Sequence, residues 1–412
     1  MTHPGGGGSG GGGGSGGGGC MLPSSLGPGA PSYAFGSHPM AYPSDVLLPS
    51  AAQADRDNKV KQAYDTWKSR YVKQGCGGWY VLSGGGTGEN VGDEVSEGHG
   101  YGMVITAMMA GYDPDARKIF DGMYDFYRRF PTGADPALMA WTVDVAGGCK
   151  IPTDQGDSAT DGDLDIAYAL LVAERQWPGN GYLQKAQQAI DAVDRGDMHP
   201  QTRQPMLGNW VDSMAKEYNS TRPSDFMLDH FRAFGRATCS PTWSAGIDSV
   251  YQLIATMQKP AVSSSGLLPD FVIDTQTDPK APTGVFLEGP GDGQYSWNAC
   301  RVPWRLTTDY LVSGDARAKT AVQKMDAWVI SATSGNPGKI ATGYALDGSK
   351  GVTDKGGASS AFSSPFGVAA LLSGNQAWVD SLWGSRYINE AYYADSITMM
   401  SLLVMSGNWW AP

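Results

Sequence analysis

Two short stretches of this chain crowd acids against glycine and apolar neighbours, a setting in which a carboxyl can exchange protons with a substrate. The first is Ser96-Glu97-Gly98-His99-Gly100-Tyr101-Gly102-Met103, which leads straight into an apolar helix. Its glycines alternate with bulky residues, so another chain or a ligand can approach the backbone closely. A carboxylate in such company loses water, which raises its pKa and favours the protonated acid near neutrality. A first-turn acid favoured by the helix dipole would look the same, so this stretch alone leaves both readings of Glu97 open. The second stretch is Asp157-Ser158-Ala159-Thr160-Asp161-Gly162-Asp163-Leu164-Asp165. Helix capping and dipole complementation account for one or two of its four acids, not for all. Calcium fits poorly, because an EF-hand counted from Asp157 would need Glu at its twelfth position, where Tyr168 stands. Acids gripping sugar hydroxyls fit better.

The elements that must position these acids are helical. Val60, Ala63, Tyr64, Trp67 and Tyr71 recur at three- and four-residue spacing, as one face of a helix does. The same period runs through Ile119 to Tyr127, Leu164 to Val172, Phe226 to Phe234, Val250 to Met257, Ala321 to Ile330 and Ile397 to Val404. Only Phe271 to Ile273 reads as a β-like run. Helices separated by Gly-rich loops, without a sequence repeat, predict a single all-α domain in which helix pairs close into a ring.

Composition narrows the function classes. The 41 acids outnumber the 30 bases for a net charge of −11, and no Lys/Arg block exceeds two residues, which argues against nucleic acid or an anionic membrane as partner. No run approaches eighteen consecutive apolar residues, so no membrane-spanning helix is expected. Residues 5–19 hold only Gly and Ser and predict a flexible leader over 1–20, followed by an extended Pro/Ser arm over 21–54; residues 1–40 are expected to add almost nothing to stability. One helical domain is expected over 55–412. Cys20, Cys76, Cys149, Cys239 and Cys300 show no CxxC or zinc spacing, so mostly free buried thiols with at most one or two bridges, and no metal, are expected.

Ala159-Thr160-Asp161-Gly162-Asp163-Leu164-Asp165-Ile166-Ala167-Tyr168-Ala169-Leu170-Leu171, followed by Gln176-Trp177, closely resembles the signature of glycoside hydrolase family 8. The Ser96–Met103 stretch is similar to that family's general-acid loop. Thr221-Arg222-Pro223-Ser224-Asp225, Asn298-Ala299-Cys300-Arg301-Val302-Pro303-Trp304-Arg305 and Gly407-Asn408-Trp409-Trp410 resemble further family segments, in the family's order. The likeness covers roughly residues 55–412.

The resemblance implies an (α/α)6 barrel with an open cleft, and hydrolysis of internal β-1,4 bonds with inversion. Inversion needs one acid to protonate the leaving oxygen and one carboxylate to activate water on the opposite face. The motif makes Glu97 the acid and Asp161 the aspartate at the cleavage subsite, with Asp163 beside it. Many family members carry the base as an Asp where this chain has Asn298, and an amide cannot accept the proton. Glu288, ten residues upstream in a Gly/Pro-rich loop, resembles the base of the subgroup that contains chitosanases and related β-glucanases. Asp292 is its nearby competitor.

Pyranose faces stack on aromatic rings, which makes Tyr101, Trp141, Trp210 and Phe362 candidate cleft walls, while Trp67 and Trp177 sit on helix faces as core. Arg301 is expected either to pair with a catalytic carboxylate or to fix the Asn298 loop. Three functions follow. An inverting chitosanase leads, because Asn298 and Glu288 occur together and an acidic cleft suits cationic glucosamine. The alternative is an endo-β-1,4-glucanase or lichenase using the same residues, and from another class a non-catalytic carbohydrate-binding relative. A secreted monomer acting on a β-1,4-linked polysaccharide without a cofactor is expected in either enzyme reading.

Overall fold

The computed structural model describes residues 30–84 and 93–412; the expected leader over 1–20, Cys20 with it, lies outside the described residues. Twelve α-helices follow one another among those residues: α1 (Gln53–Tyr71), α2 (Ser96–Met108), α3 (Ala116–Arg129), α4 (Thr160–Gln176), α5 (Tyr182–Gly196), α6 (Leu228–Thr238), α7 (Thr242–Met257), α8 (Val302–Ser313), α9 (Ala316–Thr333), α10 (Ser360–Ala369), α11 (Gln376–Gly384) and α12 (Tyr392–Met405). The even-numbered helices touch in sequence order, and α12 returns to α2, so they close an inner ring. The odd-numbered helices pack outside them. The architecture is the (α/α)6 barrel.

The two rings have different sequence textures for a physical reason. An outer helix meets solvent on one side, so α3 buries one stripe: Ala116, Ile119, Phe120, Met123, Phe126 and Tyr127. An inner helix meets protein all round, and α4 buries every residue except Arg175. The three-and-four spacing seen in Leu164 to Val172 is therefore part of a wholly buried helix. Some charged residues inside the ring are tightly paired. Arg305 grips Asp165 through two bonds of 3.1 and 2.6 Å, and His230 reaches the same carboxylate at 2.8 Å.

The sheets are small. β1 (Val72–Gly75) and β2 (Gly78–Val81) form an antiparallel hairpin, and β3 (Asp93–Val95) pairs antiparallel with β4 (Thr142–Asp144). The turn Cys76-Gly77 has positive φ at both residues, the geometry of a two-residue hairpin. Phe271 to Ile273 makes isolated bridges, Thr221 with Val272 and Ile273 with Lys280.

The cysteine expectation is corrected here, and the arm shows contacts that its sequence does not announce. Among the described residues the cysteines are mostly paired: Cys76 bonds Cys149, tying the hairpin turn to the loop after β4, and Cys239 is disulfide-bonded as well, while Cys300 is free and buried. The arm is extended but docked. Tyr33 stacks on Trp410 at 4.5 Å and exchanges backbone bonds of 3.0 and 2.9 Å with the Gln176 amide. Further along, Phe35 N–H donates to the Ala110 carbonyl at 2.7 Å, the Tyr42 hydroxyl to Val404 at 2.9 Å and Leu47 N–H to Leu371 at 2.9 Å. Lacking a helical period, the arm finds its partners only in tertiary structure.

Candidate active site

Site residues gather where the inner helices begin. Glu97 is the second residue of α2 and Asp161 the second of α4. Arg301 ends the short 3-10 turn that enters α8, Asp225 ends the one before α6, and Tyr392 opens α12. The inner helices share one direction, so their N-terminal ends converge and the positive ends of their dipoles favour acids there. Close approach of α2 and α4 depends on glycine. A Cβ on Gly162 would stand 2.4 Å from Ser96 Oγ, and one on Gly100 would stand 2.6 Å from Asp165 Cβ.

Arg301 joins the acids. Buried at 1% exposure, it donates from one terminal nitrogen to Glu97 Oε2 at 2.7 Å and to Asp161 Oδ2 at 2.8 Å. From the other it donates to Ser224 Oγ at 3.1 Å and Asn298 Oδ1 at 3.0 Å. One side chain thus pairs with two carboxylates and also holds the Asn298 amide. Glu97 Oε1 accepts from the Tyr392 hydroxyl at 2.9 Å. Burial, reinforced by the Asp161 charge, pushes the Glu97 carboxyl up to about 7 against the pull of Arg301. Asp161 goes the other way. Burial would raise it, but the Arg301 and Arg222 guanidinium charges outweigh that and hold it below the usual carboxylate range. One carboxyl is thus suited to give a proton while its neighbour stays ionised.

Glu288 stands at the far end of a polar bridge from Glu97. Asn298, which accepts from Arg301, donates through Nδ2 to Glu288 Oε2 at 2.8 Å, and Arg222 donates to Glu288 Oε1 at 2.6 Å. Glu288 and Glu97 are not hydrogen-bonded to each other; both line one cavity of about 400 Å³ with Trp141, Asp161, Trp210, Arg222, Leu287, Asn298 and Arg301 among its walls. The loop carrying Glu288 has no regular structure and is wound around Asp292. Asp292 Oδ2 accepts the backbone N–H groups of Phe286, Leu287 and Glu288 at 2.8, 2.7 and 3.0 Å, and Oδ1 accepts that of Gly289 at 2.9 Å. Asp292, 2% exposed, is therefore occupied in folding the loop and is no competitor for cleft chemistry. Asp270 does the same for the next segment, its Oδ1 accepting from the N–H groups of Ser296, Asn298 and Ala299 at 3.1, 3.1 and 2.6 Å.

Of the ten residues singled out in the sequence, Glu97, Asp161, Glu288, Trp141, Trp210, Asn298 and Arg301 line this cavity. Three do not, and their expected contact with substrate is corrected. Tyr101 is fully buried, its hydroxyl 3.3 Å from Arg301, so it supports that guanidinium from below. Asp163 faces inward and accepts the Met139 N–H at 3.0 Å. Phe362, fully buried, packs edge-on at 5.0 Å beneath Trp297, which is the exposed ring at that place. Sequence reasoning passed over Trp297, Arg222, Tyr392 and Asp270, and weighed Asp292 as a base and not as the centre of the loop's fold. Arg222 lies in a family-like segment and Trp297 directly precedes Asn298, so both could have been weighed there; Tyr392 is brought to Glu97 by chain far from it.

The family model for glycosyl hydrolases family 8 matches residues 40–407. A β-glucanase of Niallia circulans is 43% identical over 401 residues, 95% of this chain and 94% of that protein. An endoglucanase of a Bacillus species is 39% identical over 90% of this chain and 80% of its own length. Among solved structures, an unliganded β-1,3-1,4-glucanase from a Paenibacillus species superposes with a TM-score of 0.87 at 43% identity, covering 93% of this chain and 100% of that one. A reducing-end-xylose releasing exo-oligoxylanase, at 16% identity and a TM-score of 0.70 over 87% of this chain and 94% of that one, shares the fold.

Proposed function

The chain belongs to glycosyl hydrolases family 8 and is a glycoside hydrolase, and from that premise we propose that it cleaves internal bonds of β-1,4-linked or mixed-linkage β-glucan with inversion at the anomeric carbon. The reading rests on one observation above the others. Glu97 and Glu288 face a single cavity from the two ends of the Arg301–Asn298 bridge, which leaves space between them. Inverting enzymes hold their carboxyls roughly 6.5–9.5 Å apart so that a water fits beside the sugar.

In this mechanism a glucan chain lies along Trp141 and Trp210. Protonated Glu97 gives its proton to the glycosidic oxygen as the bond from that oxygen to the anomeric carbon breaks. Water attacks the same carbon from the opposite face, and Glu288 takes the water's proton as the new carbon–oxygen bond forms. Arg222 and Asn298 orient Glu288 through one bond to each of its oxygens. Asp161, held ionised by Arg301, binds the hydroxyls of the sugar whose bond is cut.

Glucan displaces chitosan as the favoured substrate for two reasons. The relatives above are named β-glucanase and endoglucanase. The cleft is also not simply acidic, since the guanidinium groups of Arg222 and Arg301 line it beside Glu97, Asp161 and Glu288. A cationic glucosamine chain would meet both arginines at the point of cleavage. The non-catalytic reading falls with membership of a hydrolase family. A polymer of this size stays outside cells, so the enzyme is expected to act there; among the described residues no helix is long and apolar enough to cross a membrane.

The test is release of reducing ends from lichenan, carboxymethylcellulose and chitosan side by side, with the product anomer followed by NMR. Rapid release from a glucan with the α-anomer appearing first is expected. A chitosan rate above both glucan rates would overturn the substrate, and an initial β-anomer would overturn the mechanism.

A further inference from the structure

Below the cleft lie two buried acids that the reaction does not use. Asp163 on α4 and Asp197 just after α5 are 3% and 0% exposed. Each has one oxygen bonded and one, Oδ2, buried without a hydrogen-bond partner among the described residues. Their bonded oxygens lead to different walls of the cleft. Asp163 Oδ1 accepts the N–H of Met139, two residues before Trp141. Asp197 Oδ1 accepts the Ser158 hydroxyl at 2.7 Å, and that hydroxyl in turn accepts the N–H of Asn209, the residue before Trp210, at 3.0 Å. Asn209 closes the ring by accepting the Ser158 N–H on Oδ1 at 2.8 Å.

No arginine or lysine is hydrogen-bonded or ion-paired to either acid in the described residues, in contrast to Asp161 and Asp165 on the same helix, which meet Arg301 and Arg305. Burial raises both carboxyls, Asp197 to about 7, and the Asp197 charge raises Asp163 further. Uncompensated burial of this kind disfavours the charged form, so the two acids serve as hydrogen-bonding parts of the scaffold.

We infer that Asp163 and Asp197 are positioning residues that set the spacing of the Trp141 and Trp210 walls, and through it the affinity for the glucan chain, without acting on the bond that breaks. The inference rests on the assignment of those tryptophans as sugar-binding walls.

The experiment measures KM and kcat on lichenan for Asp163→Ala, Asp197→Ala, Asp163→Asn, Asp197→Asn, Ser158→Ala, Trp141→Ala and Trp210→Ala. The alanine variants of the acids should raise KM about tenfold with kcat within about threefold, the signature of lost binding and not of lost chemistry. Asparagine keeps a neutral group of the same shape, so it should return KM to within about threefold of wild type. Should an alanine variant fail to fold, Ser158→Ala breaks the link between Asp197 and Asn209 while leaving both acids in place, and is still expected to raise KM. Unchanged KM in the acid and serine variants, while Trp141→Ala and Trp210→Ala raise it, would overturn this inference alone. Unchanged KM in the tryptophan variants would instead overturn the wall assignment beneath it. A fall in kcat in the asparagine variants as deep as that of Glu97→Gln would place the acids in the chemistry and also defeat the proposal.

Discussion

The two carboxylates at the cleft are held by different kinds of structure. Glu97 stands on the first turn of an inner helix, 17% exposed at its side chain, with both oxygens bonded to residues of other inner-ring elements. Glu288 stands on an irregular loop, 46% exposed at its side chain, with its backbone folded around Asp292. A ring of packed helices excludes water and raises a carboxyl, which suits an acid. A loop at the rim leaves a carboxylate solvated beside an arginine, which suits a base that must meet water. One side of the reaction is built into the barrel, and the other is laid over it.

Replacing each carboxyl tests that division with the largest effects. Glu97→Gln and Glu288→Gln should each lower kcat on polymeric glucan by about 10²–10⁴-fold with the fold intact. The two should separate on an aryl glycoside whose leaving group needs no proton. Glu97→Gln should recover most of its rate there, and Glu288→Gln should not. Recovery by both, or by neither, would mean that the roles are not divided in this way.

A subtler break is to leave Glu288 in place and loosen its support. Asp292→Ala removes the acceptor of four backbone N–H groups, so the loop should lose its fixed shape. A drop in kcat of about ten- to a hundredfold is expected, since small misplacement of a reacting group is costly. The melting temperature should hardly move, because the loop lies outside the ring. A large fall in stability would show that the loop is part of the barrel's packing after all.

How much of this could be read from the chain follows the same division. Glu97, Asp161 and Arg301 stood out because each sits in a compact motif at a helix start, although residue type and spacing left Glu97 open and only the likeness to the family gave it and Asp161 their expected roles. Glu288 was reached only through likeness to a subgroup, since a lone Glu in a Gly/Pro-rich loop looks like a solvated charge. Asp270, Asp292 and Tyr392 were not legible as support, because their partners are set by loop geometry and ring closure. Trp297 and Phe362 show the limit for aromatics. Both precede or open inner helices, and only packing decides which ring faces the cleft and which lies beneath it. The short helices α10 and α11 escaped notice too, α10 because it is buried all round and so has no polar face to give a period.

The pH profile sharpens the acid side. Glu97 must be protonated to work, and its carboxyl is raised to about 7, so kcat should fall as pH climbs through that region. Above the limb the expected loss is about tenfold per pH unit. The sign of a neighbour's effect follows. The Asp161 charge raises Glu97, so in Asp161→Asn whatever activity remains should lose its alkaline limb at lower pH, and Arg301, freed to pair with Glu97 alone, pushes the same way. A limb that stays in place would separate Glu97 from the acid role or Asp161 from its control.

The smallest effect concerns the far end of the ring. If rigidity of the helical ring is what distinguishes the acid side, the arm that straps it should matter for stability and little for turnover. The arm holds the end of α12 opposite Tyr392, through the Tyr42 bond to Val404 and the bond between His38 Nδ1 and the Gly407 carbonyl at 2.9 Å. Tyr33 closes the strap by stacking on Trp410. Tyr33→Ala should cost about 1–2 kcal/mol, combining the lost ring pair and part of the apolar surface it covers. Denaturant unfolding read beside lichenan turnover checks this. Lower stability with kcat unchanged is expected, the mirror image of Asp292→Ala. Unchanged stability would mean the arm rests on the ring without holding it, and a matching fall in kcat would carry the arm's influence through α12 to Tyr392 and Glu97.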